Sequence, residues 1–133
     1  MKNMGAFLGA LAVILFAAGL ALADHADLVI LSPKDGQAIK GAPNTGATVV
    51  VKFEVQNFRI GDFTKNTAID EHEGHLHIQL DDQPYNTIHT ADSAVFVYVR
   101  VKPGPHVLIV DLVHNDHSPL NEKVGETISF SGE

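Results

Sequence analysis

The sequence predicts an all-β protein, an immunoglobulin-like antiparallel β-sandwich of about seven strands that follows an N-terminal signal peptide. Three observations lead to this fold class. Several short segments alternate apolar and polar residues with a period of two, and Val and Ile dominate them. Clusters of Pro, Gly, Asp and Asn separate these segments. No segment beyond the N-terminal apolar run shows a helical period.

The N-terminus predicts export. Lys2 supplies a positive charge, residues 6–22 form an apolar run without charge, and residues 21–23 read Ala-Leu-Ala, a small-x-small cleavage site. We therefore expect a signal peptide over residues 1–23, a single mature domain over residues 24–133, and a periplasmic or secreted location. The alternative is an uncleaved membrane anchor, since the run is near the lower length limit for crossing a bilayer.

Composition narrows the classes of partner and chemistry. The chain of 133 residues has 9 basic and 16 acidic side chains and a formal net charge of −7. This acidic balance disfavours nucleic acid as a partner, and it disfavours attachment to anionic lipid once the signal peptide is removed. The sequence has no Cys. Disulfides, thiolate metal sites and thiol catalysis are therefore excluded.

Six segments carry the strand signal. They are residues 28–31, 48–55, 74–80, 95–101, 107–113 and 128–130. The valines at alternate positions from 95 to 101 predict the apolar face of one strand, with Phe96 and Tyr98 on the opposite face. The nearly continuous apolar run 107–113 is typical of a central strand. The polar segment 58–73 is long for a sandwich loop, and such loops are often functional or mobile.

Two clusters of metal-ligating side chains stand out. The first contains Asp70, Glu71, His72, Glu73, His75 and His77, and the second contains His114, Asp116 and His117. Neutral imidazole is the commonest protein ligand for transition metals and suits copper and zinc. The sequence therefore predicts metal binding.

Strand alternation selects the primary ligands. With Leu76, Ile78 and Leu80 facing the core, His75 and His77 share the outer face, about 6.5–7 Å apart along the strand. Two imidazoles at that spacing can converge on one ion when a neighbouring segment adds ligands. We expect His117 or His114 to complete a surface site, with Asp116 as a ligand or as a carboxylate that orients an imidazole. The alternatives are solvated surface histidines, and a turn in which Asp116 caps its own backbone.

Four further histidines have weaker signals. His25 lies beside the predicted new N-terminus, where an amine and an imidazole can chelate together, although a disordered terminus is an equal alternative. His72 is an additional ligand candidate or part of a solvated charged loop. His106 is in phase with Leu108, so it is either an additional ligand or a half-buried, hydrogen-bonded core histidine. His89 stands apart in a polar loop, and we expect it to be solvated.

Several motifs together resemble an uncharacterised family of bacterial exported domains. They are Ser32-Pro33-Lys34-Asp35-Gly36, Gly74-His75-Leu76-His77, Asp81-Asp82, Pro103-Gly104-Pro105-His106 and Asp116-His117-Ser118-Pro119. The resemblance covers nearly the whole mature chain and implies export and an immunoglobulin-like fold.

A second resemblance is to the periplasmic copper-resistance protein C family. It rests on His25-Ala26-Asp27-Leu28, Ser32-Pro33-Lys34-Asp35-Gly36, Ala42-Pro43, Pro103-Gly104 and Asp116-His117. That family is a small β-sandwich that binds Cu(II), and the resemblance implies His25, Asp116 and His117 as ligands. The family's D-G-H motif lacks its Gly here, because Asp116 and His117 are adjacent.

The sequence therefore predicts an exported, non-catalytic protein that binds copper or zinc, with copper favoured. Without Cys or a Met-rich tract, Cu(II) or Zn(II) is favoured over Cu(I), which prefers soft sulfur ligands. One alternative is an immunoglobulin-like structural or interaction module that binds another envelope protein and no metal. The other is a dismutase-like copper enzyme, whose Cys pair and Gly-rich loops are absent.

Overall fold

The chain forms a β-sandwich, and the predicted fold class is confirmed. The computed structural model describes residues 25–90 and 94–133, and the predicted signal peptide lies outside them. The strands within these residues are β1 (Asp27–Ser32), β2 (Ala38–Ile39), β3 (Ala47–Gln56), β4 (Arg59–Ile60), β5 (Glu73–Leu80), β6 (Asn86–Ile88), β7 (Val95–Val101), β8 (Gly104–His114) and β9 (Gly125–Gly132). In this part of the chain, no helix is long and apolar enough to span a bilayer.

The strands are divided between two sheets. The first has the order β1-β3-β7, and the second has the order β2-β9-β8-β5-β4, with β6 also paired to β5. The pairs β2–β9 and β4–β5 are parallel, whereas the other pairs are antiparallel. The expectation of about seven antiparallel strands was therefore incomplete. The added strands β2, β4 and β6 have two or three residues each, too few for alternation to reveal them.

The core lies between the two sheets and follows the alternation of the sequence. Leu76, Ile78 and Leu80 of β5 are buried there, as predicted. They pack in one cluster with Leu108 and Val110 of β8. The other side chains of β5 are therefore directed to the outer face of the second sheet, where the histidines lie.

The predicted orientation of β7 was wrong. Val95, Val97 and Val99 are exposed, whereas Phe96 and Tyr98 pack against the core. The pairing of β3 with β7 contains a bulge. Ala47 pairs with Val101, whereas Val49 pairs with Tyr98, and Arg100 within the bulge has a φ of 57°. This bulge returns Val101 to the core although it has the parity of the exposed valines. Alternation alone could not decide between two apolar faces.

Candidate metal centre

The outer face of β5 carries the first two members of a histidine cluster. His75 and His77 lie opposite Val113 and Asp111 of β8 in the antiparallel register. Directly opposite residues share a face, so Asp111 lies on the same side of the sheet as both imidazoles. Gly74 precedes them where β5 and β8 approach closely, since a Cβ at this position would overlap the carbonyl oxygen of Val113. The glycine of the G-H-x-H motif thus permits the strand pairing that sets the two histidines.

His117 reaches the same face from the turn after β8. Its backbone N–H donates to the carbonyl of His114 at 2.9 Å, and the N–H of His114 donates to the carbonyl of Ser118 at 2.9 Å. His117 has a φ of 68°, in the left-handed region that few residues other than glycine adopt. Such strained positions are often found at functional sites. The tight turn brings a side chain from the end of β8 back over β5.

Three imidazole nitrogens form a nearly equilateral triangle. His75 Nε2 lies 3.1 Å from His77 Nε2 and 3.0 Å from His117 Nδ1, and the last two atoms are 3.1 Å apart. Within the described residues, this is the group of His, Asp or Glu side chains whose ligand atoms converge closely enough for one ion. An imidazole nitrogen that carries no proton directs a lone pair instead of an N–H donor. Hydrogen bonds therefore satisfy the three mutual contacts of such a triangle poorly.

The dimensions of the triangle fit a first-row metal ion. Because metal–nitrogen bonds are about 2.0–2.1 Å long, nitrogens only 3.0–3.1 Å apart can all reach one ion, which His75, His77 and His117 would hold together. A cation there would accept all three lone pairs at once. The arrangement can therefore hold a metal through three neutral imidazoles.

Burial and mutual repulsion disfavour protonation of His75 and His77. Burial, followed by the proximity of His77, His117 and His89, lowers the pKa of His75 to about 4. Burial and His117 also lower the pKa of His77, against the opposing effect of the Asp111 carboxylate. Because metals bind the unprotonated ring, these shifts keep the ligand form available at neutral and mildly acidic pH.

Two aromatic rings enclose the cluster. The Phe63 ring centroid lies 4.4 Å from that of His75 and 4.6 Å from that of His117. Tyr85 stacks on His77 at 4.1 Å. The expectation of a surface site was wrong for His75, whose exposure is 0% because the segment between β4 and β5 packs over it. His77 is half-buried and His117 is exposed.

A buried carboxylate anchors that covering segment. Oε2 of Glu73 accepts from the guanidinium of Arg59, with Nε at 2.7 Å, while Oε1 accepts from Asn66 at 3.3 Å and from Asn115 at 3.2 Å. These hydrogen bonds, that to Arg59 first, lower the pKa of Glu73. Asn115 also donates to the carbonyl of Ala68 at 2.9 Å. Glu73 thus joins β4, the covering segment and the turn that carries His117.

Comparison with known proteins gives the family of the chain. Residues 9–132 match the model of a family of unknown function, DUF6130. The chain belongs to DUF6130. No curated protein matches it. The resemblance to the copper-resistance protein C family therefore stays a prediction.

Solved structures give only distant likenesses. A crystal structure of an engineered protein aligns with 82% of this chain at 10% identity and a TM-score of 0.47. The extracellular domain of BT4673 from B. thetaiotaomicron aligns with 80% at 13% identity and a TM-score of 0.42. The DUF6130 chain spans 20% and 15% of the lengths of these two structures. With TM-scores below 0.5, neither supports an argument about function.

Two predicted ligands of the second cluster lie away from the triangle. His114 is in phase with Leu112 and so lies on the core side of β8, opposite to His75, and its Nδ1 is 3.2 Å from the carbonyl of Asp70. Asp116 is exposed, and its Oδ1 accepts from the N–H and hydroxyl of Ser118, which lowers its pKa. Neither His114 nor Asp116 belongs to the group of converging ligand atoms that His75, His77 and His117 form among the described residues. The alternative of a self-capping turn holds for Asp116.

The three additional candidates also lie elsewhere. His25 and His72 line a separate open cavity together with His114, and His25 Nδ1 is 3.6 Å from Glu122. His106 is hydrogen-bonded at both nitrogens, to Asp81 and to the carbonyl of Lys102, at 2.6 Å each. It is the half-buried core histidine of the alternative prediction. None of the three joins the triangle.

His89 was wrongly expected to be solvated. It is half-buried, its ring centroid lies 5.2 Å from that of Phe63, and its Nδ1 is buried without a hydrogen-bond partner among the described residues. Thr87 of β6 pairs with His77, so Tyr85, Thr87 and His89 follow one another at alternate positions on the outer face. Ile88 between them is buried in the core.

Proposed function

We propose that this protein is exported and binds one transition metal ion, copper in preference to zinc, through His75, His77 and His117, without catalysing a reaction. The observation that supports the proposal is the nitrogen triangle, with sides of 3.0–3.1 Å. Three imidazoles from two separate segments converge there closely enough to share one ion.

The donor set favours copper or zinc. Three neutral nitrogens with no sulfur or carboxylate suit Cu(II) and Zn(II) better than Mg²⁺ or Ca²⁺, which prefer oxygen. Between the two, the general order of affinities at nitrogen sites places Cu(II) above Zn(II). The proposal of export is supported by the charge, apolar run and Ala-Leu-Ala sequence of residues 1–23. The proposed role is metal binding or delivery in the periplasm.

Calorimetry tests the metal site. The protein is expressed from the full-length chain, purified metal-free and titrated with Cu(II), Zn(II) and Mg²⁺ at pH 7.5. We expect one equivalent of Cu(II) or Zn(II) to bind and Mg²⁺ to give no heat. The absence of Cu(II) and Zn(II) binding, or equal binding by a His75→Ala/His77→Ala variant, would contradict the proposal.

One observation favours a second candidate function, an interaction module that binds another envelope protein. Val95, Val97 and Val99 are 47%, 46% and 66% exposed on β7, which among the described strands pairs only with β3 and so lies at the edge of that sheet. Exposed apolar edge strands are sites of pairing with other chains. If this is the whole function, the calorimetric titration gives no binding, whereas copurification from the envelope yields a partner that Val97→Lys releases.

A further inference from the structure

The histidine triangle offers an ion three protein ligands. Among the described residues, no fourth His, Asp or Glu atom lies close enough to all three nitrogens to join them. Asp111 is near His77 and His89 is near His75, but neither of these two residues belongs to the group of converging ligand atoms. Structural zinc sites usually have four protein ligands, whereas sites with three keep a position for water or another molecule.

Solvent can reach this cluster from one side. His75 is fully buried against Phe63, but His77 is half-buried and His117 is exposed. An ion equidistant from the three nitrogens would therefore have its protein-covered side at His75 and its accessible side at His77 and His117. The missing ligand would come from solution along that side.

Charge and shape restrict what that ligand can be. Three neutral imidazoles contribute no negative charge to a divalent ion, and the neighbouring Asp111 carboxylate offsets at most one of its two positive charges, so an anion is favoured over a neutral donor. The Phe63 and Tyr85 rings pack against the cluster, with ring centroids 4.4 Å from that of His75 and 4.1 Å from that of His77. Their proximity favours a small ligand with one donor atom over a bulky one.

We infer that the metal held by His75, His77 and His117 keeps one exchangeable position that takes a small monodentate anion. This inference rests on the proposed metal binding and adds to it. A transport or storage protein with such a site would release its ion to an incoming ligand more readily than one with four protein ligands, because exchange can begin without breaking a protein–metal bond.

Azide is a suitable probe because its complexes with Cu(II) absorb visible or near-ultraviolet light. The full-length protein is loaded with one equivalent of Cu(II), desalted and titrated with azide, while the copper content of the protein is measured before and after. We expect a new charge-transfer band that saturates at one azide per copper, with copper retained by the protein. His72→Ala, at an exposed histidine outside the cluster, should give the same band.

The outcomes separate this inference from the proposal on which it depends. If desalting removes the copper, the metal site itself is refuted, and the exchangeable position with it. If copper is retained but saturating azide leaves the spectrum unchanged, metal binding stands and the open position is refuted. The same holds if azide merely strips the copper from the protein. Benzoate binding as tightly as azide would overturn the preference for a small anion.

Discussion

Phe63 lies against His75 with ring centroids 4.4 Å apart, and it is this contact that turns an outward-facing strand residue into a fully buried one. The ring also contacts His117 and His89. A single apolar side chain from a long polar segment thereby excludes water from one side of the cluster. Burial of this kind strengthens the preference for neutral imidazole and, with it, for the metal-ligating form.

Removal of any one of the three clustered histidines should abolish most metal binding. Loss of residues that merely orient a metal ligand typically costs 10–100-fold in affinity, so loss of a ligand should cost at least about 100-fold. We expect His75→Ala, His77→Ala and His117→Ala each to weaken Cu(II) binding by this amount in calorimetry.

The matched controls for this series are histidines outside the cluster. His72→Ala and His25→Ala remove exposed imidazoles and should leave the affinity within about twofold, because neither ring is a ligand in the triangle. A large loss with His25→Ala, together with a silent His77→Ala, would move the site to the N-terminus. That result would support the ligand set implied by the resemblance to the copper-resistance family.

Protonation of His75 and His77 should weaken metal binding only at a lower pH than free imidazole would predict. Imidazole with the reference pKa near 6.5 loses its ligand form between about pH 7 and pH 5. The pKa of His75 is about 4 and that of His77 is also lowered, so protons compete with the metal at these rings only in stronger acid. Calorimetry from pH 7.5 to pH 4.5 checks this. Affinity that is independent of pH throughout would argue against histidine ligands.

The β-sandwich could be predicted from the sequence because the period-two alternation of apolar residues is long in the main strands. In β5 the alternation correctly placed Leu76, Ile78 and Leu80 in the core and so fixed the side of the sheet on which His75 and His77 lie. It failed in β7, where both faces are apolar and a bulge at Arg100 changes the parity. Only packing between the sheets could decide which face is buried.

Only part of the site could be predicted from the sequence, because its other features depend on contacts between residues that are far apart in the chain. Alternation with Leu112 places His114 on the core side of β8, but the arrival of the His117 ring on the outer face depends on a turn with positive φ. The segment that carries Phe63 is hydrogen-bonded to Glu73, which also contacts residues 14 positions before it and 42 positions after it. Such contacts have no signature in a spacing or a periodicity.

Glu73→Gln should weaken both the fold and the metal site. The amide would replace one carboxylate oxygen with a donor, which would then face the donors of Arg59 or of Asn66 and Asn115. An unsatisfied buried polar group costs about 1–3 kcal/mol, and Glu73 is 8% exposed. We expect a loss of that order in urea unfolding.

The metal affinity of the same variant shows whether Glu73 positions the cluster. Because Glu73 joins the covering segment to the turn before His117, we expect a loss of about 10–100-fold in Cu(II) affinity, typical of residues that orient ligands. Glu71→Gln, at an exposed neighbour, is the control and should change neither quantity. Unchanged metal affinity in destabilised Glu73→Gln would limit Glu73 to a structural role.

His106 gives the second sheet a stabilising contact that depends on pH. Its Nδ1 faces the Asp81 carboxylate and its Nε2 faces the carbonyl of Lys102, both at 2.6 Å. Both partners are acceptors, so only the imidazolium, which carries two N–H donors, can satisfy them together. Burial lowers the pKa of His106, but the hydrogen bonds to Asp81 and Lys102 and the charge of Asp81 outweigh it, and the net shift is upward.

The upward shift sets the direction of a stability change. A histidine whose pKa is higher in the folded state than in the unfolded state stabilises the fold fully below the unfolded value, near 6.5, and this contribution is lost as pH rises through the folded pKa. We expect Asp81→Asn, which removes the carboxylate charge while tolerating the φ of 53° at this position, to lower the melting temperature at pH 6 and to have less effect at pH 9. Thermal unfolding of both proteins across this range measures the difference. A deficit that is the same at both pH values, or larger at pH 9, would show that the imidazolium is not the stabilising species.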